Sequence, residues 1–330
     1  MTLNVDAPRA WNLLKGFVCL YKPPNTTAKK VKNIFLGNLV EDLNNLSGRS
    51  PKPYVRIEGD TTKPLKVSVI ESYADNPLVV GPRYQVEDFK YQWATYPGAK
   101  TSGVVLFALN RKALLHTDHT TDPDLDPNPL LENPWPHCIK AYHLHGKLGM
   151  VTDNMYSSGK VLYDSVKYHF VRSDHMDKVL SSLQANYQKR MFQQAGVQVG
   201  SQAAYELAVQ GPIRPADLSE PVVYGLKCVH FKPPDFTIEV HCIGEYEEFL
   251  IRLIYDLGQK LRSAAICTGV QCIRYAQFTL EHSLLRKHWR LEHVIENIGH
   301  NEKLVDEMTR IQILPQLQDI QNTSNRACKT

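Results

Sequence analysis

The chain has 330 residues, a formal net charge of +4, 43% hydrophobic residues and 22% charged residues. That is enough apolar material to pack one large domain or two ordinary ones, and it excludes a disordered chain. No apolar run approaches the roughly 18–20 residues of a membrane span, so a soluble protein is expected, and the mildly basic balance permits nucleic-acid binding without requiring it.

In chain order, the first 18 residues carry only Arg9 and Lys15 as bases and include Asp6, a weak version of an Arg-rich mitochondrial presequence. Residues 16–22, GFVCLYK, read as a buried strand that Pro23-Pro24 ends. Val31, Ile34, Phe35, Leu39 and Leu43 recur at helical spacing behind Lys29, Lys30 and Lys32. Polar residues over about 44–66 read as an insertion with one short strand, and the Asp- and Pro-rich stretch 118–136 as a surface excursion. Between them, 103–109 is a continuous apolar run suited to a strand buried on both faces.

Tyr142 to Leu148 alternates as a strand. Helices follow at 176–187 and 204–210, the second stopped by Gly211-Pro212. Two strands, 222–231 and 236–242, pair across Pro233-Pro234-Asp235. The stripe Tyr246, Phe249, Leu250, Leu253, Ile254, Leu257, Leu261 marks a strong helix, and 291–308 another before a polar tail. Strands and helices intermix without strict alternation, so the fold class is α+β with a mixed, largely antiparallel sheet. The organisation is an extension at 1–15, one domain at 16–300, and a C-terminal helix and tail at 301–330.

The seven cysteines are odd in number and lack C-x-x-C spacing, which fits a reducing intracellular compartment. His143 and His145 share one strand face, but no third ligand joins them at recognisable spacing, and no metal is expected. No P-loop, G-x-G-x-x-G or G-x-S-x-G motif is present.

Several spaced segments together resemble the TruB-type RNA pseudouridine synthases. GFVCLYKPPNTTAKKVKN matches the family's opening strand, with Lys22-Pro23 at its centre. FKYQWATYPGAKTSGVVLFALN matches the loop that carries the family's catalytic aspartate into a buried strand. Aligned on Thr101-Ser102-Gly103, that register puts Gly98 in the aspartate's place. IKAYHLHGKLG matches the strand whose tyrosine stacks on the target base, giving Lys140 and Tyr142. AAYELAVQG supplies Tyr205-Glu206, and FLIRLIYDLGQKL resembles the helix whose arginine pairs with the aspartate, giving Arg252. Val270 falls where the family lines its uracil pocket with an apolar residue. The nearest variety is the mitochondrial branch without a C-terminal PUA domain.

The resemblance implies isomerisation of uridine in tRNA, rRNA or mRNA, in the mitochondrion, without cofactor or metal. Its site would combine position 98, Tyr142 and Arg252, with Lys22, Lys140, Tyr205 and Val270 around the substrate. Lys29, Lys30, Lys32, Lys90 and Lys100 would meet RNA phosphates at the cleft's border. Glycine cannot act as a carboxylate, so a catalytically inactive RNA-binding relative, serving RNA folding or ribosome assembly, is the competing expectation. An unrelated α+β enzyme is a third. Glu87 and Asp88 are the acids nearest upstream of the loop, and exposure to solvent is the simpler reading of both.

Overall fold

The computed structural model describes residues 6–46, 53–72, 77–94, 97–110, 138–209, 212–213 and 220–305. The excursion at 118–136 and the polar tail lie outside the described residues.

The chain builds helix α1 (Ala7–Leu13), strand β1 (Gly16–Lys22) and helix α2 (Ala28–Asn45). A separate hairpin, β2 (Pro53–Glu58) and β3 (Lys66–Glu71), and a one-turn helix α3 (Pro77–Val80) follow. Then come β4 (Tyr91–Trp93), β5 (Thr101–Leu109), β6 (Lys140–Leu148) and the small pair β7 (Val151–Thr152) and β8 (Val161–Tyr163). Helices α4 (Ser173–Gln194) and α5 (Gln202–Val209) precede β9 (Val222–Lys232) and β10 (Asp235–Ile243). The described chain closes with α6 (Glu247–Lys260), β11 (Ala265–Tyr275), β12 (Phe278–Thr279) and α7, which covers 291–305.

One eight-stranded sheet runs β1-β5-β11-β6-β10-β9, with β4 on β5 and β12 on β11. Every pairing in it is antiparallel except β5 with β11. The expected α+β class and largely antiparallel sheet are what the chain forms. Strand β5 alternates between two cores, Val104, Leu106 and Ala108 on one face and Val105, Phe107 and Leu109 on the other. Helices α4 and α6 supply the first core, through Met176, Leu180, Leu250 and Ile254. Helices α1, α2 and α7 supply the second, through Ala10, Phe35, Leu39, Val294 and Ile298.

Three details of the organisation differ in the described residues from the expectation. Residues 6–15 contain α1, whose Ala10 is fully buried, so this part packs into the core. Helix α7 starts at 291, and its Asn297 and Asn301 bond to the backbone of Cys19 and Phe17, tying it to β1. The insertion is a two-stranded hairpin rather than one strand. Among the described residues no helix is long and apolar enough to cross a membrane.

Gly103 is needed for the parallel contact. It has φ of 106°, and a Cβ there would overlap the Cys272 carbonyl of β11. This close approach brings the loop before β5 against β6, β11 and the start of α6.

Candidate functional site

At that junction lies a cleft lined by Pro97, Gly98, Thr101 and Val104 from the β5 side. Lys140, Tyr142 and Cys272 form its floor, and Glu245, Tyr246, Glu247 and Leu250 close it from the α6 side. Its cavity volume is about 50 Å³.

The loop is fixed from below. Lys22 is 1% exposed and donates to the carbonyl oxygens of Ala99 at 3.0 Å and of Thr101. Burial pulls its ammonium down to about 8, while Glu247 pulls the other way. Lys22 therefore supports the loop and does not line the cleft. The N–H of Thr26 donates to the Ala99 carbonyl at 3.2 Å, which holds the start of α2 against the same loop.

Two carboxylates organise the interior. Glu245 accepts from Lys140 Nζ at 2.7 Å and from the Tyr142 hydroxyl at 2.6 Å, both on Oε1. Burial opposes the Lys140 charge, but Glu245 more than offsets it and the ammonium titrates above its ordinary value. Burial first, and Glu245 second, push the Tyr142 phenol well above its usual range. Glu247 accepts from the Thr101 N–H and from Thr101 Oγ1, each at 2.7 Å on Oε2. A Cβ at Gly98 would overlap that Glu247 carboxylate. Cys272 offers no replacement nucleophile, because burial pushes its thiol up to about 12 and a thiolate is needed for attack.

The structure brings Gly98, Lys140 and Tyr142 together. It places Val270 beside Thr101 on β11, buried, while Cys272 is the β11 residue that lines the cleft. Arg252 does not join them. Its side chain is 72% exposed and its carboxylate partner is Asp256, 3.9 Å away and one turn along α6. The inward position is one residue earlier, at Ile251, which is 4% exposed. Tyr205 is 65% exposed on α5 and is absent from the cleft lining.

Among the lysines, Lys29 and Lys30 are exposed on the first turn of α2, and Lys100 sits next to the loop with Nζ 4.9 Å from the Tyr156 ring. Lys32 instead donates to the Tyr91 hydroxyl at 2.8 Å. Lys90 bonds with Asn110, at the opposite end of β5 from Thr101, about 26 Å away by the rise of a strand. Asp88 closes its own turn by accepting from the Gln85 N–H at 2.8 Å, and it and Glu87 stand at that far end too.

Glu245 and Glu247 belong to none of the sequence motifs. Glu247 lies in the first turn of α6 and Glu245 two residues before the helix, where acids are ordinary complements of the helix dipole, so nothing in the local sequence sets them apart. His145 bonds to Thr237 at 3.0 Å and His143 lies 3.9 Å from Glu239, on the sheet face away from the cleft.

Residues 133–246 match the TruB family pseudouridylate synthase (N terminal domain). The mitochondrial pseudouridylate synthase TRUB2 of Xenopus tropicalis is 31% identical over 295 residues, 86% of this chain and 85% of that protein. Its Homo sapiens counterpart is 30% identical over 292 residues, 86% of this chain and 83% of that protein. A chain of the archaeal box H/ACA sRNP Nop10-Cbf5 complex superposes at a TM-score of 0.45 and 13% identity, covering 88% of this chain and 60% of that one.

Proposed function

From the premise that this chain belongs to the TruB family of pseudouridine synthases, we propose that it binds RNA but has lost the family's isomerisation chemistry. The relatives' mitochondrial designation supports a mitochondrial tRNA, rRNA or mRNA as its target, with a role in RNA folding or ribosome assembly.

The observation that carries this reading is the state of both members of the catalytic pair. Position 98 has no side chain, and the space one would occupy holds a Glu247 carboxylate already bonded twice to Thr101. The partner arginine is missing from the cleft as well, since Arg252 is 72% exposed and the α6 residues lining the cleft are Glu247 and Leu250. The reaction requires a charged carboxylate at the sugar or base, held ionised by a cation. Removal of a nucleophile with its supporting group costs on the order of 10⁴–10⁶ in rate in well-studied hydrolases.

RNA affinity would come from phosphate contacts by Lys29, Lys30 and Lys100, the lysines gathered near the loop. Counterion release makes such binding fall steeply with salt. The test is retention of a structured mitochondrial RNA at 50 and 200 mM salt, with nucleoside analysis of the bound fraction. Binding should drop at least tenfold across that range, without pseudouridine appearing. Lys30→Ala/Lys100→Ala should weaken binding and flatten the salt slope, whereas Lys90→Ala should change neither. Equal affinity at both salts would contradict the electrostatic account.

A further inference from the structure

We propose that Glu247 is a built-in occupant of the nucleobase pocket, which stays closed to uracil until that carboxylate swings out. The inference rests on reading the cleft as the family's base pocket. Its physical content is separate from whether the protein binds RNA.

Three observations converge on it. First, the Glu247 carboxylate fills the volume beside Gly98 so fully that even a single Cβ there would overlap it. Second, the carboxylate is latched, with the Thr101 N–H and hydroxyl both directed to Oε2 at 2.7 Å. Third, the space left over is small. A cavity of about 50 Å³ takes only a few waters. The stacking surface is covered too, since Tyr142 is 6% exposed and its hydroxyl is tied to Glu245.

The occupant is also movable. Glu247 is the first residue of α6, and the helix is anchored further along by Leu250, Ile251 and Ile254, so its long side chain can turn outward without disturbing the helix. The latch would then break at Thr101 alone. A loop that lost its own aspartate side chain is thus sealed by an acid from another element. Gly98→Asp by itself meets a carboxylate already in place.

The experiment is titration of uridine 5′-monophosphate into the full-length protein, followed by NMR or calorimetry. Wild type is compared with Glu247→Ala and with Thr101→Val, which removes the hydroxyl half of the latch, keeps the backbone N–H half and keeps the acid. Glu247→Ala should bind at least tenfold more tightly than wild type, and Thr101→Val should fall between them. Equal binding by wild type and Glu247→Ala overturns the proposal, as does failure of both variants to gain affinity while their thermal transitions stay cooperative. RNA retention by the wild type is measured alongside. Loss of RNA binding with a gain for the nucleotide would reject the RNA-binding reading and leave the occupant intact. The converse result would reject the occupant alone.

Discussion

Thr101 and Lys22 show how much of the cleft depends on two buried polar side chains. Thr101 is 3% exposed and directs its N–H and hydroxyl to Glu247, while Lys22 directs its ammonium to the carbonyls of the loop beneath. A buried ammonium with few counter-charges is costly, which is why its titration falls to about 8 from the usual 10.5. Below pH 8 Lys22 is charged in both folded and unfolded chains, and the full cost of burying the charge is present. Between about 8 and 10.5 the folded chain sheds the proton first, so this group makes stability rise with pH. Denaturant unfolding of wild type and Lys22→Met at pH 7 and pH 10 checks this. The stability difference, wild type minus variant, should be larger at pH 10, and an unchanged difference would show that the Lys22 charge is not burdened by burial.

Strand β11 is the element on which the cleft turns, and its sequence carries the weakest strand signal. Strands β1 and β5 are contiguous apolar runs because helices cover both their faces, so composition alone reveals them. Strand β11 pairs with β5 and β6, yet Thr268, Gly269, Gln271 and Arg274 interrupt its apolar residues. Those four positions are half-buried or exposed, and the polar interruptions hide a central strand. Helix α6 was plain from its stripe, which also put Arg252 opposite the buried face, where it stands in solvent. What the stripe could not tell is that Ile251 takes the inward place. Glu247 was out of reach for a different reason, since it meets Thr101 across 146 residues of sequence. The Thr-Ser-Gly signature, by contrast, has a direct structural cause in the β5–β11 contact. Gly103→Ala should destabilise the protein by about 2–5 kcal/mol, combining positive-φ strain with overlap on the Cys272 carbonyl. A shift in urea midpoint at unchanged slope would measure it; a loss below about 1 kcal/mol would mean β5 and β11 can separate there.

At the scale of the whole molecule, the family's scaffold is present, and the proposed function reads it as a scaffold without the reactive pair. The sheet, its two cores and the hydrogen-bonded Lys140–Glu245–Tyr142 group form around the cleft as a packed unit. The central claim is that this chain holds RNA without isomerising uridine. Joining C5 of uracil to the ribose displaces the hydrogen at C5, so RNA carrying tritium there reports the reaction directly. The measurement is tritium release under single-turnover conditions with protein in excess, using a pseudouridine synthase of the family as the positive control. The account predicts RNA binding with release no greater than in a protein-free blank, for wild type and for Gly98→Asp alike. Stoichiometric release by wild type that Glu247→Gln abolishes would contradict it and assign the family's carboxylate role to Glu247.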